Sequence, residues 1–497
     1  MKKALVVITL LFVGSFAEGA FTEFYCDADT TNVRASNLNA GSTQGTTTYF
    51  VNNGTWTVAT GNFDTQSDPT GLINVGDFAS VFLNTVSTGT GFVGRVLSVG
   101  TSSITISTIT SGFAGIPPVL AGGTANLRVG GVWQGPIATI GFPFGFVSNT
   151  FTDASGNFPF VNLKNSANYN VTASIAHANT QGFFSGYSTT VRDGGKATIG
   201  VHTTTAFNIL TISGGRCLLM DVSVDGTPHT AGGPVAITLS GTGVFGIGLV
   251  GRNARGPGIS ISGNSSGIIE SEAYGNNRSN TASSGGIAFS GSPTFAVRSV
   301  SHDNSGSNSS GFIGAAGGGQ TVFIEECIAD TNGQYGFLLR PRAASAILKN
   351  SDSYNNVASG VAINSATNGG LTHIENVNLI KNGGYGVEKI DALTDHSITL
   401  MNNGFGTGTQ ANTSGTVETE VGAFGFEVGS INYPTDTTSW IDPANGDFRI
   451  SLPSAKGAGR GVFTQIQSGY DGTIGYQDIG AAQSTGKKNI GAATVAY

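Results

Sequence analysis

The sequence is poor in charge, cysteine and proline. Charged residues make up 11% of the 497, against about a quarter in an ordinary soluble domain. The net charge is −7, and no basic stripe forms, which argues against a nucleic-acid partner. Three cysteines, Cys26, Cys217 and Cys327, are too few and too scattered for a disulfide framework. Cys217 and Cys327 sit in strand-like runs and read as small buried hydrophobes. Neither the cysteines nor the six histidines show zinc spacing. Fourteen prolines and no three-residue period exclude collagen. Long apolar runs are also missing. The longest clear one, Ala4 to Val13, follows Met1-Lys-Lys and precedes Ser15-Phe-Ala17. That reads as a secretory signal peptide over residues 1–20, too short to span a bilayer.

What the chain has in quantity is glycine, 76 residues, about twice ordinary usage. With 39% hydrophobic residues and few charges, it lacks the signature of disorder. Asparagine recurs in step with glycine: Tyr274-Gly-Asn-Asn, His302-Asp-Asn, Asp330-Thr-Asn, Tyr354-Asn-Asn, Ile380-Lys-Asn. A Gly-apolar pair follows most of them, at Gly286, Gly311, Gly336, Gly360 and Gly386, with spacings of 25, 25, 24 and 26. A period in this range marks a solenoid, in which each repeat buries its apolar side against its neighbours. The runs between bends are short and β-rich, such as Thr321-Val-Phe-Ile-Glu, Ala346-Ile-Leu-Lys and Leu371-Thr-His-Ile-Glu. Three short strands and three bends fit ~25 residues, which describes one rung of a parallel β-helix. The asparagines are expected to stack as a ladder, each amide bonding its copies above and below.

The fold class predicted is all-β. A right-handed parallel β-helix with an N-terminal cap spans 136–430, after a small antiparallel β module at 21–135. A C-terminal closing segment occupies 431–497. Alternating strands at Val75–Leu83, Gly91–Val99 and Ser103–Ile109 support the module. A short helix over Pro136–Phe146 is expected to cover the first rung, and rungs begin near Phe158. About eleven rungs at ~4.8 Å make a column roughly 50 Å long.

The tail reads Asp442-Pro-Ala-Asn-Gly-Asp-Phe-Arg-Ile, Ser454-Ala-Lys-Gly-Ala-Gly and Asp478-Ile-Gly-Ala. With the rung pattern, it resembles secreted bacterial or phage-like β-helix proteins of the pectate-lyase-like superfamily, over residues ~158–483. The resemblance implies the fold. It leaves activity open among lyases, hydrolases, epimerases, tail spikes and adhesins.

Taking the rung asparagine as a ruler, Glu325, Lys349 and Glu375 lie seven residues before Asn332, Asn356 and Asn382. Ile324, Leu348 and Ile374 lie eight before. The first row should point outward and the second inward. The outward row alternates in charge. It reads either as acid–base groups on a sugar-binding face or as a surface ion ladder. Arg340 and Arg342 could fork onto an acidic sugar or pair with Asp330 or Asp352. In the family resembled, pectate lyases use an Arg in β-elimination beside calcium-binding acids, and no such acid cluster flanks Arg340. Tyr335 and Tyr385 could stack sugars or cover the next rung. His302-Asp303 reads as an isolated pair. Asp27-Ala-Asp29 and Asp471 hint at calcium but fall short of its six to eight oxygens, so no cofactor is expected. The leading expectation is a secreted protein that binds extracellular polysaccharide or a cell surface. The alternatives are a lyase or glycosidase on acidic glycans, and a surface or virion-like fibre component, as a homotrimer.

Overall fold

The computed structural model describes most of residues 158–406. Outside that stretch it describes strands at 21–27, 49–56, 60–65, 78–83, 91–110, 119–120, 125–129, 413–414, 427–428, 431–432, 440–442 and 447–450, and a few single positions. The chain divides into two units. One comprises 1–167 with 181–195, and the other 168–180 with 196–497. The expected signal peptide, the Pro136–Phe146 helix and the 478–481 stretch lie outside the described residues.

In the first unit, seven antiparallel strands between 49 and 129 form one sheet. Strand 60–65 pairs with both 103–110 and 49–56, so the sheet closes on itself. Phe63, Val96, Ile104 and Ile106 fill its interior. Strand 21–27 stands apart from this sheet, pairing in parallel with 158–164.

The second unit is a parallel β-solenoid. Each rung gives one short strand to each of three sheets. Strands of the first sheet include 294–297, 322–325, 345–349, 371–375 and 397–401. The second sheet runs from 169–171 to 431–432 and the third from 175–177 to 413–414. Strands as short as three residues hold because every backbone group pairs with the rungs above and below. Apolar residues repeat at matched positions and stack inward. Ile324, Leu348 and Ile374 are in register and 1% exposed or less, and Phe312 and Phe337 stack at 5.1 Å. In the expected C-terminal segment, Asp447–Ile450 forms a strand that pairs antiparallel with Trp440–Asp442, in a two-stranded sheet of its own.

The asparagine ladder forms at the bend between the second and third sheets. Asn304 Nδ2 donates to Asn332 Oδ1 at 2.7 Å, Asn332 Nδ2 to Asn356 Oδ1 at 2.8 Å, and Asn356 Nδ2 to Asn382 Oδ1 at 2.9 Å. The Asn356 and Asn382 oxygens also accept the backbone N–H of the preceding asparagine, at 3.0 and 3.2 Å. The ladder explains the glycines. A Cβ at Gly311 would stand 2.8 Å from Asn332 Nδ2, and one at Gly360 2.8 Å from Asn382 Nδ2. Asparagine and glycine therefore recur together because the amide of one rung occupies the space a side chain would need in the rung before.

Asn356 is buried and bonded on every side, so Asn356→Ala strands several backbone and amide groups. It should lower unfolding free energy by about 3 kcal/mol. Gly360→Ala should cost about 1–3 kcal/mol through overpacking. Denaturant midpoints and amide exchange of the flanking rungs measure both, and an unchanged midpoint in Asn356→Ala would refute the ladder's structural role.

Candidate functional site on the second sheet

Strands 222–225, 250–252, 272–274, 300–302, 328–330 and 352–354 of the second sheet have three or four residues each. The penultimate residue points inward, as buried Ala273, Ser301, Ala329 and Ser353 show. The last points outward. In register this produces a column, one residue per rung: Asp225, Arg252, Tyr274, His302, Asp330, Tyr354. After each strand from 250–252 onward to 378–380 the chain turns through one residue of positive φ, such as Asp303 (51°), Thr331 (50°) and Lys381 (55°), before reaching the ladder position. These bend residues flank the column as an outer ridge.

The column is bonded from Asp225 to His302, and bend residues hold Asp330 and Tyr354. Arg252 Nε meets Asp225 Oδ2 at 3.1 Å, and Arg252 Nη1 donates to the Tyr274 hydroxyl at 3.0 Å. The Tyr274 ring stacks on His302, with centroids 5.1 Å apart. His302 sits between two carboxylates, Nε2 to Glu272 Oε1 at 2.9 Å and Nδ1 to Asp303 Oδ2 at 2.7 Å. Thr331 Oγ1 donates to Asp330 at 2.7 Å. Lys381 Nζ lies 3.4 Å from the Tyr354 hydroxyl and 5.5 Å above its ring.

The electrostatics follow from this packing. Burial opposes charge on His302, but the hydrogen bonds and charges of Asp303 and Glu272 outweigh it and push the imidazole up to about 9. Burial raises the Asp330 carboxyl to about 6, with Asp303 adding to it, against the Thr331 hydrogen bond and the charges of His302 and Lys381. At pH 7 the column thus carries an imidazolium next to an acid that titrates near neutrality. That pair can hold a hydroxyl-rich ligand and can donate a proton below about pH 6.

The candidate carbohydrate contacts singled out from the sequence lie on or beside strands of the other two sheets. Glu325, Lys349 and Glu375 are in register on the first sheet. Glu375 is only 3% exposed, held by Lys349 Nζ at 2.8 Å and His373 Nε2 at 3.0 Å, while Asn350 donates to Glu325 at 3.2 Å. Arg340 is half-buried just after strand 337–339, and Arg342 lies outside the described residues. Tyr335 packs on Ile313, Leu338 and Ala362. Burial and then Glu388 raise its hydroxyl pKa, with Arg340 opposing. The Tyr385 N–H donates to Ser359 Oγ at 3.0 Å. Cys217 and Cys327 are buried free thiols, and burial pushes Cys327 far above the usual thiol range. Among the described residues no cluster of His, Cys, Asp and Glu suits a metal ion, and no helix is long and apolar enough to cross a membrane. Of the acids considered for calcium, Asp29 and Asp471 lie outside the described residues.

His302 was visible in sequence only with its neighbour Asp303, because Glu272 lies 30 residues away. The signal that finds the column is the same ruler at another offset: Tyr274, His302, Asp330 and Tyr354 each stand two residues before a ladder asparagine.

Residues 236–405 match the family model of the right handed beta helix region. This stretch is a right-handed parallel β-helix. No curated protein sequence matches the chain. Among solved structures, pectate lyase Pel9A is 14% identical with a TM-score of 0.39, covering 66% of this chain and 88% of its own. The Dettilon tailspike protein is 13% identical with a TM-score of 0.39, covering 59% and 60%. The catalytic unit of a thermostable GH87 alpha-1,3-glucanase from Streptomyces thermodiastaticus strain HF3-3 is 10% identical with a TM-score of 0.37, covering 78% and 88%. What the β-helix face does rests on this chain's own residues.

The two raised pKa values fix a pH dependence. A group that holds its proton more tightly when folded stabilises the fold below its unfolded pKa and loses that contribution as pH rises through the folded one. The His302 contribution is complete below ~6.5 and lost by about 9. The Asp330 contribution is greatest below ~3.8 and falls away as pH rises through about 6. Denaturation midpoints should therefore decline in two steps. Asp330→Asn should abolish the lower step and His302→Gln the upper, and NMR titration of His302 near pH 9 checks the assignment.

Proposed function

We propose that this is an exported protein whose outer second-sheet column, Asp225 to Tyr354 with Lys381, binds a polysaccharide lying along the β-helix axis. The observation that carries this reading is the in-register row of polar side chains, one per ~4.8 Å rung, each held by a column neighbour or by a bend residue. A repeating row of donors and acceptors suits a repeating ligand, and orientation in advance lowers the entropy lost on binding. The Tyr274 hydroxyl, Arg252, Asp330 and exposed Asp303 and Lys381 are the groups offered to sugar hydroxyls. The first-sheet groups Glu325, Lys349 and Glu375 have a weaker claim, because Lys349 and His373 already engage the Glu375 carboxylate.

Binding to immobilised glycans tests the reading. Asp330→Asn and Lys381→Ala should each weaken binding about tenfold, the effect of losing one charge-assisted hydrogen bond. Lys349→Ala should leave it within about twofold. A larger loss from Lys349→Ala than from the second-sheet variants would move the ligand to the first sheet.

A second reading is favoured by one feature, the Asp330 carboxyl at about 6 beside His302. A carboxyl protonated just below neutrality is suited to be a general acid on a glycosidic oxygen. If the bound glycan is cleaved, release of reducing ends should fall as pH rises through about 6 and disappear in Asp330→Asn. Turnover unchanged in that variant would remove Asp330 from the chemistry.

A further inference from the structure

The bend that follows strand 222–225 carries a second, unexplained polar group. His229 is 0% exposed, and both ring nitrogens lack a hydrogen-bond partner. Its ring meets Phe207 edge-on at 4.8 Å, an apolar contact that satisfies neither nitrogen. A buried imidazole left in this state costs free energy, so its surroundings call for a reason.

Two arginines reach this bend from the next two rungs. Arg255 Nε donates to the Gly232 carbonyl at 3.0 Å. Arg278 Nη1 donates to the Thr227 carbonyl at 2.9 Å and the Asn253 carbonyl at 3.1 Å. Each guanidinium has five N–H donors, so these bonds leave most of both forks unused. Among the described residues no carboxylate pairs with either. Asp225, the acid at the start of the bend, is held by Arg252 at 3.1 Å. After burial, the charges of Arg255 and Arg278 are the main influences that lower the His229 pKa, so the imidazole is neutral at pH 7 with one N–H to give.

We propose that His229, Arg255 and Arg278 form a binding site for an oxyanion, a carboxylate or sulfate borne on the glycan. The unused guanidinium forks suit a planar or tetrahedral oxyanion. A bound oxygen would also take the His229 N–H. The site lies at the bend of the rungs that supply Asp225, Arg252 and Tyr274, next to the start of the polar column. It would therefore select acidic chains among those the column can hold. That the anion is carried by a glycan rests on the binding face proposed above; the anion site does not.

Two measurements separate these claims. Sodium sulfate and sodium acetate, titrated at constant ionic strength, should give a saturable shift of the His229 ring resonances and raise its pKa. Arg255→Gln with Arg278→Gln, which keeps side-chain donors for the bend carbonyls, should remove the shift. No shift with either anion in the wild-type chain overturns the site, whether or not the variant folds. The response of sulfate against acetate identifies the preferred group. Polygalacturonate, dextran sulfate and neutral dextran then test the glycan. An acidic polymer should bind at least tenfold tighter than dextran, and the double variant should lose that margin while its dextran affinity stays the same. An undiminished margin in the double variant overturns the site. A His229 shift without polymer binding overturns the polysaccharide reading and leaves the anion site standing.

Discussion

The structure depends on one constraint: a buried amide must find every hydrogen bond inside the protein. In a β-helix the only partner always at the right height is the same residue one rung away. Asn304, Asn332, Asn356 and Asn382 meet that condition together, each bonding the next through its side chain, and Asn332 and Asn356 through the backbone as well. The chain cannot slip by one residue without unmaking the whole row. The glycine of the preceding rung is bound to the same requirement, since a side chain there would strike the amide. The ladder thus fixes register, and register turns every sequence offset into a column in space.

Columns then obey their own electrostatics. Neighbours stand about 4.8 Å apart, so like charges in one column are penalised and opposite charges or aromatic faces are favoured. The first sheet meets this with Lys349 beside buried Glu375. On the second sheet Arg252 separates Asp225 from Tyr274, and His302 separates Tyr274 from Asp330. The Glu272 carboxylate lies in the adjacent buried column and turns inward on His302 rather than stacking with Asp330. The result is a row whose groups are positioned by each other more than by the backbone.

The period, the rung, the ladder and the inward row of Ile324, Leu348 and Ile374 were all legible in the sequence. They depend on spacing along one chain, and spacing is what a sequence displays. A strand at Asp447–Ile450 was legible as well, from its motif. The column of His302 and Asp330 was not, although the same asparagine ruler reaches it two residues back. Polar residues at strand ends look like ordinary bend residues until the register of five rungs is laid side by side. The burial of Glu375 was hidden for a different reason. It depends on His373 and Lys349 folding over one carboxylate, and spacing does not reveal where long side chains turn. Closure of the N-terminal sheet was also out of reach, because it rests on strand 60–65 meeting 49–56 as well as 103–110.

The bend residues show how the ladder's stability is used. A residue of positive φ between column and ladder costs about 1–2 kcal/mol unless it is Gly, Asn or Asp. Asn253, Gly275, Asp303 and Asn355 fill most of these positions at little cost. The exceptions are Thr331 and Lys381, and both touch the column. Thr331 holds the Asp330 carboxyl, and Lys381 lies over the Tyr354 ring. Strain of this kind persists only where the surroundings over-determine it. Here the asparagine row immediately after the bend does so, with Asn332 bonded to Asn304 and Asn356, and Asn382 to Asn356 and the Ser353 carbonyl. The two positions where the backbone would prefer another residue thus both act on the column, as low-cost Asp303 does at His302. This is the pattern expected if the column, and not only the scaffold, is what the repeats maintain.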